Sequence, residues 1–91
     1  MNHSAKGARL ERRSRALLEG RGYTVLRSAA SKGPFDLCGI SDVDIVLVQC
    51  KANRPPGPAE RAALAAFPCP SNCRREIHVW VDRAGVRVTV L

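Results

Sequence analysis

The chain has 91 residues, which suits one small domain. Its formal net charge is +7 and its pI is about 10.1, a balance that indicates a polyanionic partner, most simply nucleic acid. No apolar run approaches the roughly 20 residues of a membrane span, and the polar first residues do not resemble a secretory signal. We therefore expect a cytoplasmic, single-domain protein over residues 1–91, with residues 1–5 disordered.

The first predicted element is a basic helix over residues 6–19, which ends at Gly20 or Gly22. Leucines recur on one face, and arginines occupy the others. Glu11 is the one acid in the first half of this helix. One interpretation is a stabilising ion pair with Arg15, four residues later, and the other is a role in a functional site.

Three strands are predicted next, over residues 23–27, 35–40 and 45–50. The third strand is an unbroken run of β-branched and apolar residues, which is typical of a buried central strand. The side chains predicted to point to the core are those of Val46, Val48 and Cys50.

The turn between the second and third strands fixes which residues lie opposite each other. If Ser41 pairs with Asp44, then Asp36 lies opposite Gln49 on the same face of the sheet. Strand alternation adds Lys51 to that face. A carboxylate, an amide oxygen and an ammonium group are therefore predicted to meet at one edge of an otherwise apolar hairpin.

This combination of groups has a chemical use. A carboxylate and a neutral oxygen are suitable ligands for a hard cation such as Mg²⁺, and a nearby lysine can stabilise charge on a phosphate under attack. The alternative is an exposed Asp–Lys pair at the rim of the hairpin, which is a weak surface salt bridge.

Asp36 followed by Gln49-Cys50-Lys51, with Pro34 two residues before the aspartate, resembles the PD-(D/E)XK motif of the restriction-endonuclease-like nucleases. Ser31-Lys32-Gly33 and the helix that contains Glu11 narrow the resemblance to the archaeal-type Holliday junction resolvases.

The resemblance covers residues 7–53 and departs from the family pattern at one position. Gln49 stands where the family has Asp or Glu, so it can bind a metal ion through its carbonyl oxygen but brings no charge.

The resemblance implies an α/β restriction-endonuclease-like core, with a mixed five-stranded sheet flanked by helices in the order αβββαββ. It also implies a homodimeric, Mg²⁺- or Mn²⁺-dependent endonuclease that cuts four-way DNA junctions and leaves 5′-phosphates, without a small-molecule cofactor. The expected catalytic residues are Glu11, Asp36, Gln49 and Lys51. The expected metal ligands are Glu11, Asp36, Gln49 and the carbonyl group of Cys50. The expected DNA contacts are Arg9, Arg12, Arg13, Arg27, Ser31, Lys32 and Arg54.

Two other functions stay open. One is a restriction or repair nuclease that acts on linear duplex. The other is a basic nucleic-acid-binding module whose nuclease site has decayed, an interpretation that depends on Gln49.

The second half of the chain completes the predicted fold with a helix over residues 59–67 and strands over residues 76–81 and 86–90. In the fourth strand, His78 is predicted to be half-exposed and Trp80 to pack in the core. This order of elements agrees with the order that the resemblance implies.

Four cysteines remain to be interpreted. Cys38 and Cys50 lie in predicted strands, where a reduced cysteine behaves as a small apolar residue. Cys69 and Cys73 form a loop pair that could bind zinc or form a disulfide. Zinc usually needs a second pair of ligands, and a reducing cytosol disfavours the disulfide.

Overall fold

A computed structural model describes residues 3–27 and 34–91, which form two helices and one five-stranded sheet. The helices are α1 (His3–Gly20) and α2 (Pro58–Ala66). The strands are β1 (Thr24–Arg27), β2 (Leu37–Ile40), β3 (Ile45–Ala52), β4 (Cys73–Val81) and β5 (Gly85–Val90). The predicted order αβββαββ is confirmed. Neither helix of this described part is long and apolar enough to cross a membrane.

The strands lie in the sheet in the same order as in the chain, from β1 to β5. β3 and β4 run parallel, and the other neighbouring strands run antiparallel. Because parallel neighbours need a crossover connection, the chain passes from β3 to β4 through α2. The predicted mixed sheet is therefore confirmed, and β3 is its central strand.

Helix α1 ends through its backbone. Gly22 adopts a left-handed conformation with φ 96°, which glycine reaches without steric cost. Its N–H donates to the carbonyl of Glu19 at 3.0 Å, and the N–H of Tyr23 donates to the carbonyl of Leu18 at 3.1 Å. These two bonds form a Schellman motif, so the second of the two predicted stops is the one that turns the chain.

The same helix begins earlier than predicted. It starts at His3, three residues before the predicted start, and residues 1 and 2 lie outside the described part of the chain, so the expected disorder of residues 1–5 stays a prediction. The physical reason is that Ala5 and Lys6 are good helix formers, and neither glycine nor proline interrupts the stretch before them.

The hairpin of β2 and β3 has the predicted register. Leu37 pairs with Val48, and Ile40 pairs with Ile45. In the turn over residues 41–44, the first N–H donates to the last carbonyl at 2.9 Å. The alternation of buried and less buried residues along β3 follows from this register.

Two strands are longer than predicted because β3 and β4 pair in parallel over their whole length. Ile45 pairs with Cys73 at one end, and Ala52 pairs with Trp80 at the other. β3 therefore continues through Lys51 instead of ending before it, and β4 begins three residues before Glu76.

Each face of the sheet has its own apolar core. Helix α1 covers one face, called here the α1 face, and α2 covers the other, called the α2 face. The α1-face core consists of Leu18, Val25, Leu37, Val46 and Val48, with Tyr23 and Cys50 packed against it. The α2-face core consists of Phe35, Leu64, Ile77 and Val79, with Leu47 and Phe67 among its partly buried neighbours.

Candidate active site

Asp36 lies directly before β2 and is bound to β3 through both its backbone and its side chain. Its N–H donates to the carbonyl of Val48 at 2.8 Å, and its Oδ2 accepts a hydrogen bond from the N–H of Cys50 at 2.8 Å. Burial raises the pKa of Asp36, although the bond from Cys50 opposes the shift. The carboxylate is therefore fixed and partly desolvated, so it gains free energy when a cation binds beside it.

Gln49 lies on the same side of β3 as Lys51, and its side-chain oxygen has no hydrogen-bond donor nearby among the described residues. Its Oε1 is buried and accepts no hydrogen bond from any residue that the structure describes. An unsatisfied buried acceptor costs about 1–3 kcal/mol, and most such groups in native proteins have a partner. An amide oxygen is a normal ligand for Mg²⁺, so a divalent cation fits the donors present here.

Carboxylates alone do not make this site. Among the side chains that the structure describes, no group of three His, Cys, Asp or Glu is arranged to hold a metal ion. A cation at this edge of the sheet therefore needs the amide oxygen of Gln49 and backbone oxygens in addition to Asp36.

Lys51 is paired with an acid that the sequence analysis did not select. Its Nζ lies 2.9 Å from Oε2 of Glu60. Glu60 lies in the first turn of α2, which begins with a proline, and an acid is favoured there by the helix dipole. We call Asp36, Gln49, Lys51 and Glu60 the β3-end cluster.

Glu11 reaches the site from α1. Its Oε1 accepts a hydrogen bond from Nε of Arg27 at 2.7 Å, whereas Arg15 pairs with Glu19 at 3.1 Å. The alternative ion pair between Glu11 and Arg15 is therefore wrong, because Glu11 and Arg15 each pair with a different residue. The charges of Glu11 and Lys51 both act on the carboxylate of Asp36.

A cleft of about 240 Å³ adjoins Glu11 between α1 and the sheet. Its lining includes Arg12, Arg15 and Arg27. Three guanidinium groups around one cleft are suited to bind phosphate groups. The lining also includes Leu37, the residue that follows Asp36.

The other predicted DNA contacts are spread over the surface. Arg9 and Arg54 are exposed. The guanidinium of Arg13 lies 4.5 Å from the ring centroid of Trp80, a cation–π contact. Ser31 and Lys32 lie outside the described residues, and the roles assigned to all of these side chains stay predictions.

A second set of polar side chains lies beneath α1, and its members are Ser14, Arg21, Glu76, His78 and Trp80. We call this set the buried polar network. The prediction that His78 is half-exposed is wrong, because the imidazole is completely buried against Ser14 of α1. The prediction that Trp80 packs in the core is confirmed.

Hydrogen bonds connect the members of the network in sequence. Trp80 Nε1 donates to Ser14 Oγ at 2.8 Å, and Ser14 Oγ lies 2.8 Å from His78 Nδ1. His78 Nε2 lies 3.0 Å from Glu76 Oε1, and a carboxylate can only accept. Nε2 therefore donates to Glu76, and in the neutral imidazole Nδ1 then accepts from the Ser14 hydroxyl.

Glu76 anchors this network at the sheet. Arg21 binds both of its oxygens at 2.9 Å, and Arg74 lies 3.3 Å from one of them. Burial alone raises the pKa of Glu76, but the hydrogen bonds from His78 and Arg21 outweigh burial and lower the pKa to about 2. The sequence does contain a signal for this network. Glu76, His78 and Trp80 alternate along one strand, and each of these side chains needs a hydrogen-bond partner when it is buried.

The cysteines are free thiols. The sulfur of Cys69 lies 3.8 Å from the carbonyl oxygen of Cys73, and burial raises the pKa of Cys73 to about 11. The structure contains neither the disulfide nor, within the described residues, a set of side chains able to hold zinc.

Comparison with known proteins gives a family and a fold. The family model described as archaeal Holliday junction resolvase (Hjc) matches residues 2–56. The 1.6 Å structure of Hjc from Archaeoglobus fulgidus, titled a Holliday junction resolvase from an archaeal hyperthermophile, matches with a TM-score of 0.71 at 21% identity. The match covers 91% of this chain and 70% of that one. No curated protein matches the chain.

These two findings agree with the resemblance that the motif carries. The structural match supports the restriction-endonuclease-like arrangement of the sheet and its helices. The family model spans more than half of the sequence, including Glu11, Asp36 and Lys51. The chain belongs to the archaeal Holliday junction resolvase family.

Proposed function

We propose that this resolvase cuts four-way DNA junctions by hydrolysis that depends on Mg²⁺ or Mn²⁺ at the β3-end cluster. The observation that carries the proposal is the buried Oε1 of Gln49, which lies two residues before Lys51 in the motif and meets no donor among the described residues. Such an oxygen is costly in a folded protein unless a ligand or a water molecule binds it.

In this proposal, the metal ligands are Asp36, Oε1 of Gln49 and the carbonyl oxygen of Cys50, with Glu11 bound directly or through water. The hydrogen bond from the Cys50 N–H to Asp36 aligns the carboxylate with the backbone of β3. A bound divalent ion polarises the scissile phosphate and makes water a better nucleophile.

Lys51 is the proposed catalytic cation. Its ammonium group holds the attacking water and stabilises the negative charge that grows on the phosphate oxygens. The water oxygen attacks phosphorus in line with the 3′ oxygen, and the bond between phosphorus and that oxygen breaks. The attacking water loses a proton to solvent, and the 3′ oxygen takes a proton from solvent, which gives a 3′-hydroxyl and a 5′-phosphate.

The proposed DNA surface consists of the arginine-lined cleft and the exposed arginines around it. Arg12 and Arg27 line the cleft next to Glu11, and Arg9 and Arg54 are exposed. Contacts with phosphates release counterions, so binding should weaken steeply as the salt concentration rises. A DNA substrate also agrees with the predicted cytoplasmic location of the protein.

A homodimer is part of the proposal because a four-way junction is cut symmetrically only by two active sites related by a two-fold axis. The exposed apolar side chains of Leu26, Ile40 and Val43 are of the kind that contacts between subunits cover. A monomer that cuts both strands at equal rates would contradict this part of the proposal.

The decayed binding module is the second candidate, and a specific observation favours it. Gln49 carries no charge, and the described residues hold no group of three His, Cys, Asp or Glu side chains suited to a metal ion. This candidate predicts tight binding of junctions without cleavage in any metal.

The experiment compares cleavage of a labelled four-way junction, linear duplex and single strand of matching sequence. Each substrate is incubated with Mg²⁺, Mn²⁺ or EDTA, with Asp36→Asn as the inactive control. We expect paired symmetric nicks in the junction only, lost in EDTA and in the variant. Equal cutting of duplex supports a general nuclease, and binding without cutting supports the decayed module.

A further inference from the structure

The net charge around Asp36 differs from the one that the family motif gives, because Gln49 stands in the place of an acid. Glu11 is neutralised by Arg27 at 2.7 Å, so that pair adds no net charge. If Asp36 and Lys51 were the only remaining ions, the site would be neutral, because Gln49 contributes none. A neutral site has little electrostatic attraction for a divalent cation.

Glu60 changes this balance. Its carboxylate lies 2.9 Å from Nζ of Lys51, and its charge is close enough to act on Asp36. With Glu60 counted, the site carries one net negative charge. The Pro-Gly segment before α2 and the proline that starts the helix bring this residue back to the strand that Lys51 occupies.

We infer that Glu60 supplies, from α2, the negative charge that Gln49 does not supply from β3. The inference rests on the proposed function and deepens it. Glu60 acts through Lys51, whose ammonium group it holds, so we class it as a positioning residue. Without this partner, the charge of Lys51 repels a cation at Asp36 more strongly.

A plain surface salt bridge is the competing explanation. The side chains of Lys51 and Glu60 are 30% and 43% exposed, and exposed pairs often contribute little to stability. That explanation predicts that neutralising Glu60 leaves metal binding unchanged. It also gives no reason for a charge at position 49 to compensate for the loss of Glu60.

The test measures Mn²⁺ binding by electron paramagnetic resonance, without DNA, in four proteins. These are the wild type, Glu60→Gln, Gln49→Glu and the double variant. We expect Glu60→Gln to weaken Mn²⁺ binding about tenfold or more. In the double variant, Gln49→Glu should restore most of that loss, because the charge returns to the same site from β3. Junction cleavage should follow the same order.

Glu19→Gln is the matched control. Glu19 is also an exposed acid paired with a cation, Arg15, at 3.1 Å, but it lies at the far end of α1 from Glu11. The change in net charge is identical, so Mn²⁺ binding should stay as in the wild type. Circular dichroism melting curves establish that all variants fold.

The outcomes separate the inference from the proposed function. If Glu60→Gln binds Mn²⁺ as tightly as the wild type, or if Gln49→Glu does not restore the loss, the inference is overturned while the nuclease proposal stands. If the wild type neither binds Mn²⁺ nor cuts junctions, both are overturned.

Discussion

Two sets of polar side chains lie on opposite faces of the same sheet, and they differ in how completely their hydrogen-bonding groups are used. In the buried polar network, Ser14 accepts from Trp80 and donates to His78, which donates to Glu76. In the β3-end cluster, Oε1 of Gln49 is buried with no partner in the described part of the chain. The polar groups of the network therefore bind one another, whereas the cluster keeps one buried acceptor that no described residue binds.

This difference indicates what each set is for. A fully satisfied buried network fixes one arrangement of helix and sheet, so the network beneath α1 holds the fold. Oxygens without a hydrogen-bond donor, next to a cation at the edge of a sheet, can still bind a ligand. Variants in the network should therefore change stability, whereas variants in the cluster should change metal binding and cleavage.

The largest expected effect is on stability and comes from Glu76→Gln. The substitution removes a buried charge that Arg21 binds through both oxygens at 2.9 Å, and breaking such a pair costs about 3–5 kcal/mol. Urea unfolding measures the loss. Arg21→Lys keeps the positive charge but not the two parallel hydrogen bonds, so it should lower the free energy of unfolding by less than Glu76→Gln does. If Glu76→Gln lowers the free energy of unfolding by less than about 1 kcal/mol, the network does not hold the fold.

The next effect is on rate and comes from Lys51→Ala. Loss of one fixed group that stabilises the transition state lowers the rate of cleavage about a hundredfold or more, or about 3 kcal/mol. Because Lys51 is partly exposed, the free energy of unfolding should change by less than about 1 kcal/mol. Single-turnover cleavage of a labelled junction measures the rate, and wild-type cutting by the variant would remove Lys51 from the mechanism.

A smaller effect is the dependence of stability on pH. The pKa of Glu76 is about 2 in the folded protein and 4.5 for a free group, so its stabilisation is complete above pH 4.5. It is lost as the pH falls towards 2, with a change of roughly 2 kcal/mol between pH 5 and pH 3. Unfolding curves across this range should show a slope in the wild type that Glu76→Gln lacks. Equal slopes would mean that other carboxylates carry the effect.

The hairpin that carries Asp36 was predictable from the sequence because its determinants are local. The residues of the turn fix the register, and Ser41 stabilises the turn by accepting hydrogen bonds from the N–H groups of Val43 and Asp44. Extended by one residue, the same register predicts Asp36 opposite Gln49, whereas the observed strand pairing ends at Leu37 and Val48. The motif indicates the family because the spacing between Asp36 and Lys51 depends on that hairpin.

The partners of the charged residues were not predictable because they depend on how distant segments meet. Glu11 had equal local reasons to pair with Arg15, but the tertiary fold brings Arg27 to it. Glu60 reaches Lys51 only because a helix crosses between two parallel strands. His78 is buried because Ser14 of α1 lies against it, and no local pattern in the strand indicates that contact.

Gln49→Leu tests the central claim most directly, because stability and activity should change in opposite directions. Leucine removes the buried oxygen that has no partner in the described residues, so the free energy of unfolding without metal should rise by about 1 kcal/mol. The same change removes a proposed metal ligand, so junction cleavage should fall about a hundredfold at fixed Mg²⁺. Urea unfolding and single-turnover cleavage of one preparation give both values. Cleavage at the wild-type rate would contradict the account.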